Sequence, residues 1–176
     1  MIENSLDITG WMNPRELTWL AQTAVKSKIA IEVGSYHGRS ARAIGDNIQD
    51  KLYCVDPWLP DYFGNDNKPL LRVGNIAYES FCHNLADLID RGKVIPLRIE
   101  YKDFNYFVKP DFIFIDGDHR KEAVEHDIEK SWRMLSDGGV LAGHDYGYGD
   151  WPAVKEVVDR VFPQAQIVQQ IWWVTK

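Results

Sequence analysis

The chain has 176 residues, a formal net charge of −6, 45% hydrophobic residues and 26% charged residues. This length is enough for one domain whose core needs neither metal nor disulfide, and we expect a single domain over residues 1–176. Lysine and arginine are scattered and form no basic stripe, which argues against a nucleic acid as the main partner.

The two cysteines and the N-terminal residues narrow the class of protein further. Cys54 and Cys82 each lie in an apolar setting and are expected to be free thiols rather than a disulfide or a metal pair. The first residues show no basic segment followed by an apolar one, and no stretch approaches the ~20 apolar residues that span a bilayer. We therefore expect a cytoplasmic protein without a membrane partner.

Helices and strands alternate along the chain. Asn13 as N-cap, Pro14 at the first helical position and Glu16 at the third predict a helix over residues 13–27, within an N-terminal helix region of residues 1–27. Pro96 favours an edge position for the strand predicted over residues 93–99. The further predicted elements are strand 28–33, helix 40–48, strand 52–56, an irregular stretch 57–74, helix 75–91, strand 93–99, strand 112–116, helix 120–135, strand 140–145, helix 153–161 and two short C-terminal strands that turn at Gln169 and Gln170.

Strands that are nearly continuous apolar runs, separated by helices, indicate a mostly parallel sheet with helices on both faces. This is the doubly wound, Rossmann-like α/β class, which binds ligands beyond the carboxyl ends of its strands. Polar side chains gather at those ends, so a ligand site is predicted there. They are Glu32, Asp56, Asp116, His144 and Asp145.

The stretch A-I-E-V-G-S-Y-H-G-R-S places Gly34 and Gly38 directly after the first strand. A dinucleotide-binding loop reads G-x-G-x-x-G, but here Tyr36 stands where the second glycine is needed. Glu32 would also repel a pyrophosphate. A positively charged nucleoside without phosphate fits better, and S-adenosylmethionine carries a sulfonium and an ammonium. Asp56, which ends the next strand, is placed to hold the ribose hydroxyls.

At these residues the sequence resembles the class I S-adenosylmethionine-dependent methyltransferases. E-V-G-S-Y-H-G-R-S resembles their motif I, and V-D-P-W resembles their second-strand motif. F-I-F-I-D-G-D-H-R-K-E-A-V-E-H-D-I and L-S-D-G-G-V-L-A-G-H-D-Y resemble the methyltransferase domain 24 branch, which includes sugar O-methyltransferases and relatives of cephalosporin hydroxylase. The resemblance covers about residues 28–162. It implies a seven-strand sheet whose last strand is antiparallel.

The resemblance also implies which residues surround the cofactor: Glu32, Gly34 and Gly38 at the methionine portion and Asp56 at the ribose. Residues 34–38 are called the glycine loop below. Pro57 or Trp58 would lie near adenine, although a buried core position is the alternative for Trp58. Tyr36 and His37 lie in the loop, where plain exposure explains them equally well. The predicted cofactor-binding residues are Glu32, Gly34, Ser35, Tyr36, Gly38, Asp56, Trp58 and Asp116.

Asp116, His144 and Asp145 end two neighbouring strands and are expected to converge. Some relatives bind a divalent cation with acidic residues at matching positions; here His144 replaces an acid, which shifts the preference from Mg²⁺ or Ca²⁺ toward Mn²⁺, Fe²⁺ or Zn²⁺. A metal-free alternative uses His144 or His119 as the general base. In a third alternative Asp118 or Asp145 only caps a turn. The catalytic candidates are therefore His144, Asp145 and His119.

These observations predict a methyltransferase acting on an oxygen of a small, sugar-like acceptor, which the loop 57–74 would select. A non-catalytic S-adenosylmethionine-binding module, a nicotinamide-dependent oxidoreductase and an iron-dependent hydroxylase are the alternatives. Trp172 and Trp173 point to opposite faces of their strand. We expect one in the core and the other at a subunit contact of a homodimer.

Overall fold

The computed structural model describes residues 1–59, 73–105 and 109–176. Its seven-stranded sheet has the order β3-β2-β1-β4-β5-β7-β6. The strands from β1 to β5 pair in parallel, whereas β7 is antiparallel to both β5 and β6. This arrangement confirms the Rossmann-like prediction. The strands are β1 Ile29–Val33, β2 Lys51–Val55, β3 Val94–Leu97, β4 Phe112–Ile115, β5 Val140–Gly143, β6 Gln166–Val168 and β7 Ile171–Thr175.

The helices cover both faces of the sheet, and a separate hydrophobic cluster lies on each face. One cluster contains side chains of α2, α3, α4 and α5, and the other contains side chains of α6 and α7. In the described part of the chain, no helix is both long and apolar enough to cross a bilayer. The helices are α1 Glu3–Leu6, α2 Pro14–Val25, α3 Arg39–Asn47, α4 Val73–Asn84, α5 Ala86–Asp90, α6 Lys121–Met134 and α7 Pro152–Val161, with a 3₁₀ helix at Tyr101–Asp103.

The predicted elements are present with shifts of one or two residues, with one exception. Residues 75–91 are predicted as one helix but fall in two, α4 and α5, because the helix is interrupted at Leu85. There the carbonyl oxygen of Asn84 accepts a hydrogen bond from Arg42 Nη1 at 3.2 Å. The fully buried side chain of Leu85 packs into the core at this break. The predicted acceptor loop 57–74 lies largely outside the described residues.

The residues singled out for packing occupy the positions expected of core side chains. Cys54 is buried, Cys82 is partly buried, and both are free thiols. Trp172 is buried in one cluster, whereas the partly buried Trp173 packs on the opposite face, its ring centroid 5.9 Å from that of Trp19. The subunit contact assigned to this tryptophan pair stays a prediction.

Candidate functional site

Gly34 is the point at which β1 meets the end of β4. Its φ is +82°, a left-handed conformation that favours glycine. A Cβ atom added there would lie 2.1 Å from the carbonyl oxygen of Asp116. The close backbone approach that this glycine permits is therefore to the neighbouring strand, and it brings the glycine loop next to Asp116.

Gly38 ends the loop and precedes α3. Its φ is +89°, and an added Cβ would lie 2.3 Å from Leu85 Cδ1 and 3.0 Å from Phe81 Cδ2. Its backbone N–H donates to the carbonyl oxygen of Ser35 at 2.7 Å. Backbone conformation and packing thus both require glycine here, and they fix where α3 begins.

Glu32 lies beneath the loop and is fully buried. Its Oε2 accepts a hydrogen bond from Ser35 Oγ at 2.5 Å, whereas its buried Oε1 has no hydrogen-bond partner among the described residues. Burial raises the pKa of Glu32 to about 7, with a smaller contribution from the charge of Asp116. The carboxyl group is therefore enclosed, and its contact with a cofactor stays a prediction.

Asp56 connects the glycine loop to the end of β2. Its Oδ2 accepts the backbone N–H groups of Ser35 and Tyr36 at 2.8 and 3.0 Å, and its Oδ1 accepts that of Trp58 at 2.6 Å. A carboxylate offers about four acceptor positions, so about one is left for a ribose hydroxyl. Burial raises the pKa of Asp56, and these backbone hydrogen bonds oppose the rise.

Trp58 is fully buried, and its ring lies edge-on to Tyr78 and next to Phe81. Its indole Nε1–H donates to the carbonyl oxygen of Tyr36 at 2.8 Å. This environment favours the core interpretation of Trp58, in which the ring supports the glycine loop. Contact with adenine stays a prediction.

Residues 1–12 pack against the outer side of the glycine loop. The ring of Trp11, which is 78% exposed, stacks on that of Tyr36 with centroids 5.1 Å apart. Arg39, the first residue of α3, holds this segment by donating hydrogen bonds to three of its carbonyl oxygens. The acceptors are Leu6, Ile8 and Met12.

Asp116, His144 and Asp145 come together at the carboxyl ends of β4 and β5. One donor atom from each lies within 4.8 Å of the others, and among the described residues this is the one such group. His144 Nδ1 is 3.7 Å from Asp116 Oδ1 and 3.3 Å from Asp145 Oδ1. Two carboxylates and one imidazole fit a divalent cation such as Mn²⁺, Fe²⁺ or Zn²⁺.

Charge balance within this cluster shifts the pKa values of its members. Burial alone would lower the pKa of His144, but contacts with Asp145 and Glu16 and the charge of Asp116 outweigh it and raise the pKa to about 10. Burial raises the pKa of Asp116 to about 6, although the charge of His144 opposes the rise. Burial would also raise the pKa of Asp145, but hydrogen bonds with His119 and His144 hold it well below its usual range.

His119 is the more accessible of the two histidines at this edge, with 23% of its side chain exposed against 7% for His144. Its Nε2–H donates to Asp145 Oδ2 at 2.6 Å. Its ring stacks on Trp151 at a centroid distance of 4.6 Å and an interplanar angle of 15°. These two contacts fix the ring plane and direct Nδ1 away from Asp145.

The site geometry agrees with a comparison against protein families, in which the model of a methyltransferase domain matches residues 31–146. The chain belongs to this methyltransferase family. The matched range begins in β1 and ends just after Asp145, so it contains the glycine loop and the cluster at β4 and β5. The methyltransferase is of class I, which uses S-adenosylmethionine, as the sequence resemblance implies.

Solved structures show the same fold at low sequence identity. Cofactor-bound Rv0187 from MTB is 15% identical, with 98% of this chain and 85% of that chain covered and a TM-score of 0.73. The O-methyltransferase TomG from Streptomyces achromogenes, in complex with SAM, is 12% identical, with 94% and 82% covered and a TM-score of 0.70. The O-methyltransferase from Bacillus cereus, in complex with SAH, is 13% identical, with 94% and 83% covered and a TM-score of 0.70.

Glu16 of this methyltransferase also lies at the site, although the sequence predicts for it only a role at the start of a helix. Glu16 forms the predicted capping box with Asn13, and its Oε1 lies 3.4 Å from His144 Nε2. The capping-box spacing is visible in the sequence. No sequence pattern predicts the contact between Glu16 and His144, because these residues are more than a hundred positions apart.

Proposed function

We propose that this methyltransferase transfers a methyl group to a hydroxyl oxygen of a small acceptor, with His119 as the general base. The observation that carries the proposal is the 2.6 Å contact between His119 Nε2 and Asp145 Oδ2 at the sheet edge beside the glycine loop. The contact assigns the proton to Nε2, so the neutral ring has its lone pair on Nδ1. A histidine oriented by a buried carboxylate is suited to take a proton from a hydroxyl group.

The reaction is a displacement at carbon. An oxygen lone pair of the acceptor forms the new bond to the methyl carbon, the carbon–sulfur bond breaks, and its electron pair returns to sulfur. The hydroxyl proton passes to Nδ1 of His119. The sulfonium already activates the methyl group, so much of the acceleration comes from holding the acceptor in line. Gly34 supports this alignment, because it sets the glycine loop directly against the backbone of Asp116.

His144 is less suited to act as the base. It is buried, and Glu16, Asp116 and Asp145 already surround both of its ring nitrogens. With Asp116 and Asp145 it would instead hold a divalent cation, through one carboxylate oxygen from each aspartate and through His144 Nδ1, which would have to carry no proton. Such an ion would lower the pKa of a hydroxyl group bound to it.

The acceptor in this proposal is a small molecule that carries a flat or apolar face next to its hydroxyl, as a sugar or a phenol does. Trp151, 42% exposed and stacked on His119, offers an aromatic surface beside the proposed base. Both pyranose rings and aromatic rings pack on exposed tryptophan faces. The irregular stretch 57–74 is proposed to contribute to the choice of acceptor.

Turnover with S-adenosylmethionine labelled in its methyl group tests the proposal, using a panel of sugars and phenols as acceptors. We expect labelled product from the wild type and a loss of about 10²- to 10⁴-fold in kcat for His119→Gln, with S-adenosylmethionine affinity unchanged by calorimetry. Glu122→Gln, at an exposed position of α6, is the matched control. Binding of S-adenosylmethionine without turnover on any acceptor would favour a non-catalytic module, and heat of binding with NAD alone would overturn the cofactor assignment.

A further inference from the structure

The carboxylate of Glu16 is fixed by two distant parts of the chain. It is 3% exposed, its Oε2 accepts the backbone N–H of Asn13 at 2.9 Å, and its Oε1 accepts the backbone N–H of Gln170 at 3.2 Å. Asn13 precedes α2, and Gln170 lies in the turn between β6 and β7. The oxygens of Glu16 are therefore held in place independently of His144, Asp116 and Asp145.

The ring of His144 lies between this carboxylate and the two aspartates, Asp116 and Asp145. Its Nε2 is buried and makes no hydrogen bond within the described residues, but Glu16 Oε1 is 3.4 Å away. Its Nδ1 is on the other side, 3.3 Å from Asp145 Oδ1 and 3.7 Å from Asp116 Oδ1. In a histidine, the partner of one ring nitrogen decides which nitrogen is presented to a ligand.

We propose that Glu16 is a positioning residue, which accepts the Nε2–H of His144 and thereby presents Nδ1 to Asp116 and Asp145. The use of Nδ1 rests on the proposed function, because that nitrogen is the one that would join the two aspartates around a cation. An approach of about 0.4 Å brings Nε2 and Oε1 to an ordinary hydrogen-bond distance of about 3 Å. The buried donor is then satisfied.

The chemistry of the three donors explains why this position carries a carboxylate. Two backbone N–H groups and one imidazole N–H converge on the side chain of Glu16. A carboxylate has only acceptors and about four positions for them, so it can take all three. Glutamine has one oxygen, and its amide N–H₂ would have to face at least one of these donors.

Other contacts hold the main chain on either side of His144. The contact with Glu16 therefore bears on the orientation of the ring. The N–H of His144 donates to the carbonyl oxygen of Ile115 at 3.0 Å, and a Cβ on Gly143 would lie 2.6 Å from the indole of Trp172. The carbonyl oxygen of Gln170 also accepts the N–H of Tyr146 at 3.0 Å. One turn thus joins the segment after His144 to Glu16.

Nitrogen-15 NMR of the histidine rings tests this role without metal or acceptor. We expect a protected Nε2–H signal that His144→Gln removes and Glu16→Gln removes or moves. Asn13→Ala is the matched control, because it deletes the cap side chain but keeps the backbone N–H that Glu16 accepts, and it should leave the signal in place. Absence of the signal in the wild type, or an unchanged signal in Glu16→Gln, overturns the proposal. Glu16→Asp, which keeps the charge on a shorter side chain, should also move the signal if the glutamine variant does not fold.

Titration with Mn²⁺ alone, followed by electron paramagnetic resonance, separates this inference from the proposed function. We expect Glu16→Gln to weaken Mn²⁺ binding about 10- to 100-fold, as removal of a partner of a metal-bound histidine does, and Asn13→Ala to stay within about 2-fold of the wild type. Equal Mn²⁺ affinity in the wild type and Glu16→Gln overturns the positioning role. If the wild type binds no Mn²⁺ but the ring signal behaves as expected, the cation site is wrong and the positioning of His144 by Glu16 stands.

Discussion

Replacement of Glu32 by glutamine tests whether the carboxyl group beneath the glycine loop is held in its neutral form. Burial raises the pKa of Glu32 from 4.5 to about 7, a difference that corresponds to about 3 kcal/mol. Between these two pH values the folded protein keeps a proton that the unfolded chain has released. The free energy of unfolding of the wild type should therefore fall as pH rises from 5 to 8, because the folded state binds more protons.

Glutamine has the size of the neutral acid and does not titrate. The free energy of unfolding of Glu32→Gln, measured by urea denaturation, should thus gain about 2–3 kcal/mol relative to the wild type between pH 5 and pH 8. Other groups that titrate in this range contribute almost equally to the free energy of unfolding of both proteins, so their contribution largely cancels in the difference. Glu122→Gln, at an exposed position, should show no such gain. A difference that does not change with pH would refute the burial of a neutral carboxyl group at this position.

Three further substitutions test the loop and its surroundings. Gly34→Ala should lower the free energy of unfolding by more than about 2 kcal/mol in urea, whereas Gly147→Ala, with φ +77° but open space around it, should cost about 1 kcal/mol; equal losses would contradict the close backbone approach. Trp58→Phe should cost about 1–3 kcal/mol of stability and leave S-adenosylmethionine affinity within about 3-fold by calorimetry, and a loss above about 10-fold would favour contact with adenine. Trp151→Ala should lower kcat/KM about 3- to 10-fold through the lost stacking on His119, and a change confined to cofactor affinity would argue against that role.

The sequence predicts most elements of this fold, because their patterns are local. The capping box at Asn13, the apolar runs of the strands and the turn at Gln169 and Gln170 each depend on neighbouring residues, and all three are present in the structure. The break at Leu85 is not predicted, because the contacts found there, a hydrogen bond from Arg42 to the preceding carbonyl group and the burial of Leu85 in the core, are tertiary.

The candidate site divides in the same way. Strand order brings the predicted trio at the ends of β4 and β5 together, since both strands are parallel neighbours. The three backbone hydrogen bonds to Asp56 and the contact of Glu16 with His144 depend on tertiary geometry. No spacing rule in the sequence expresses either one.

The backbone contact between Gly34 and Asp116 has a consequence for protein engineering. The two halves of the candidate site meet through main-chain atoms, so this contact does not involve the side chain of residue 116. A substitution of that side chain, made to change the reaction, would leave this backbone contact between the ends of β1 and β4 intact. A bulkier residue at position 34, by contrast, would push the ends of β1 and β4 apart and shift the glycine loop relative to Asp116.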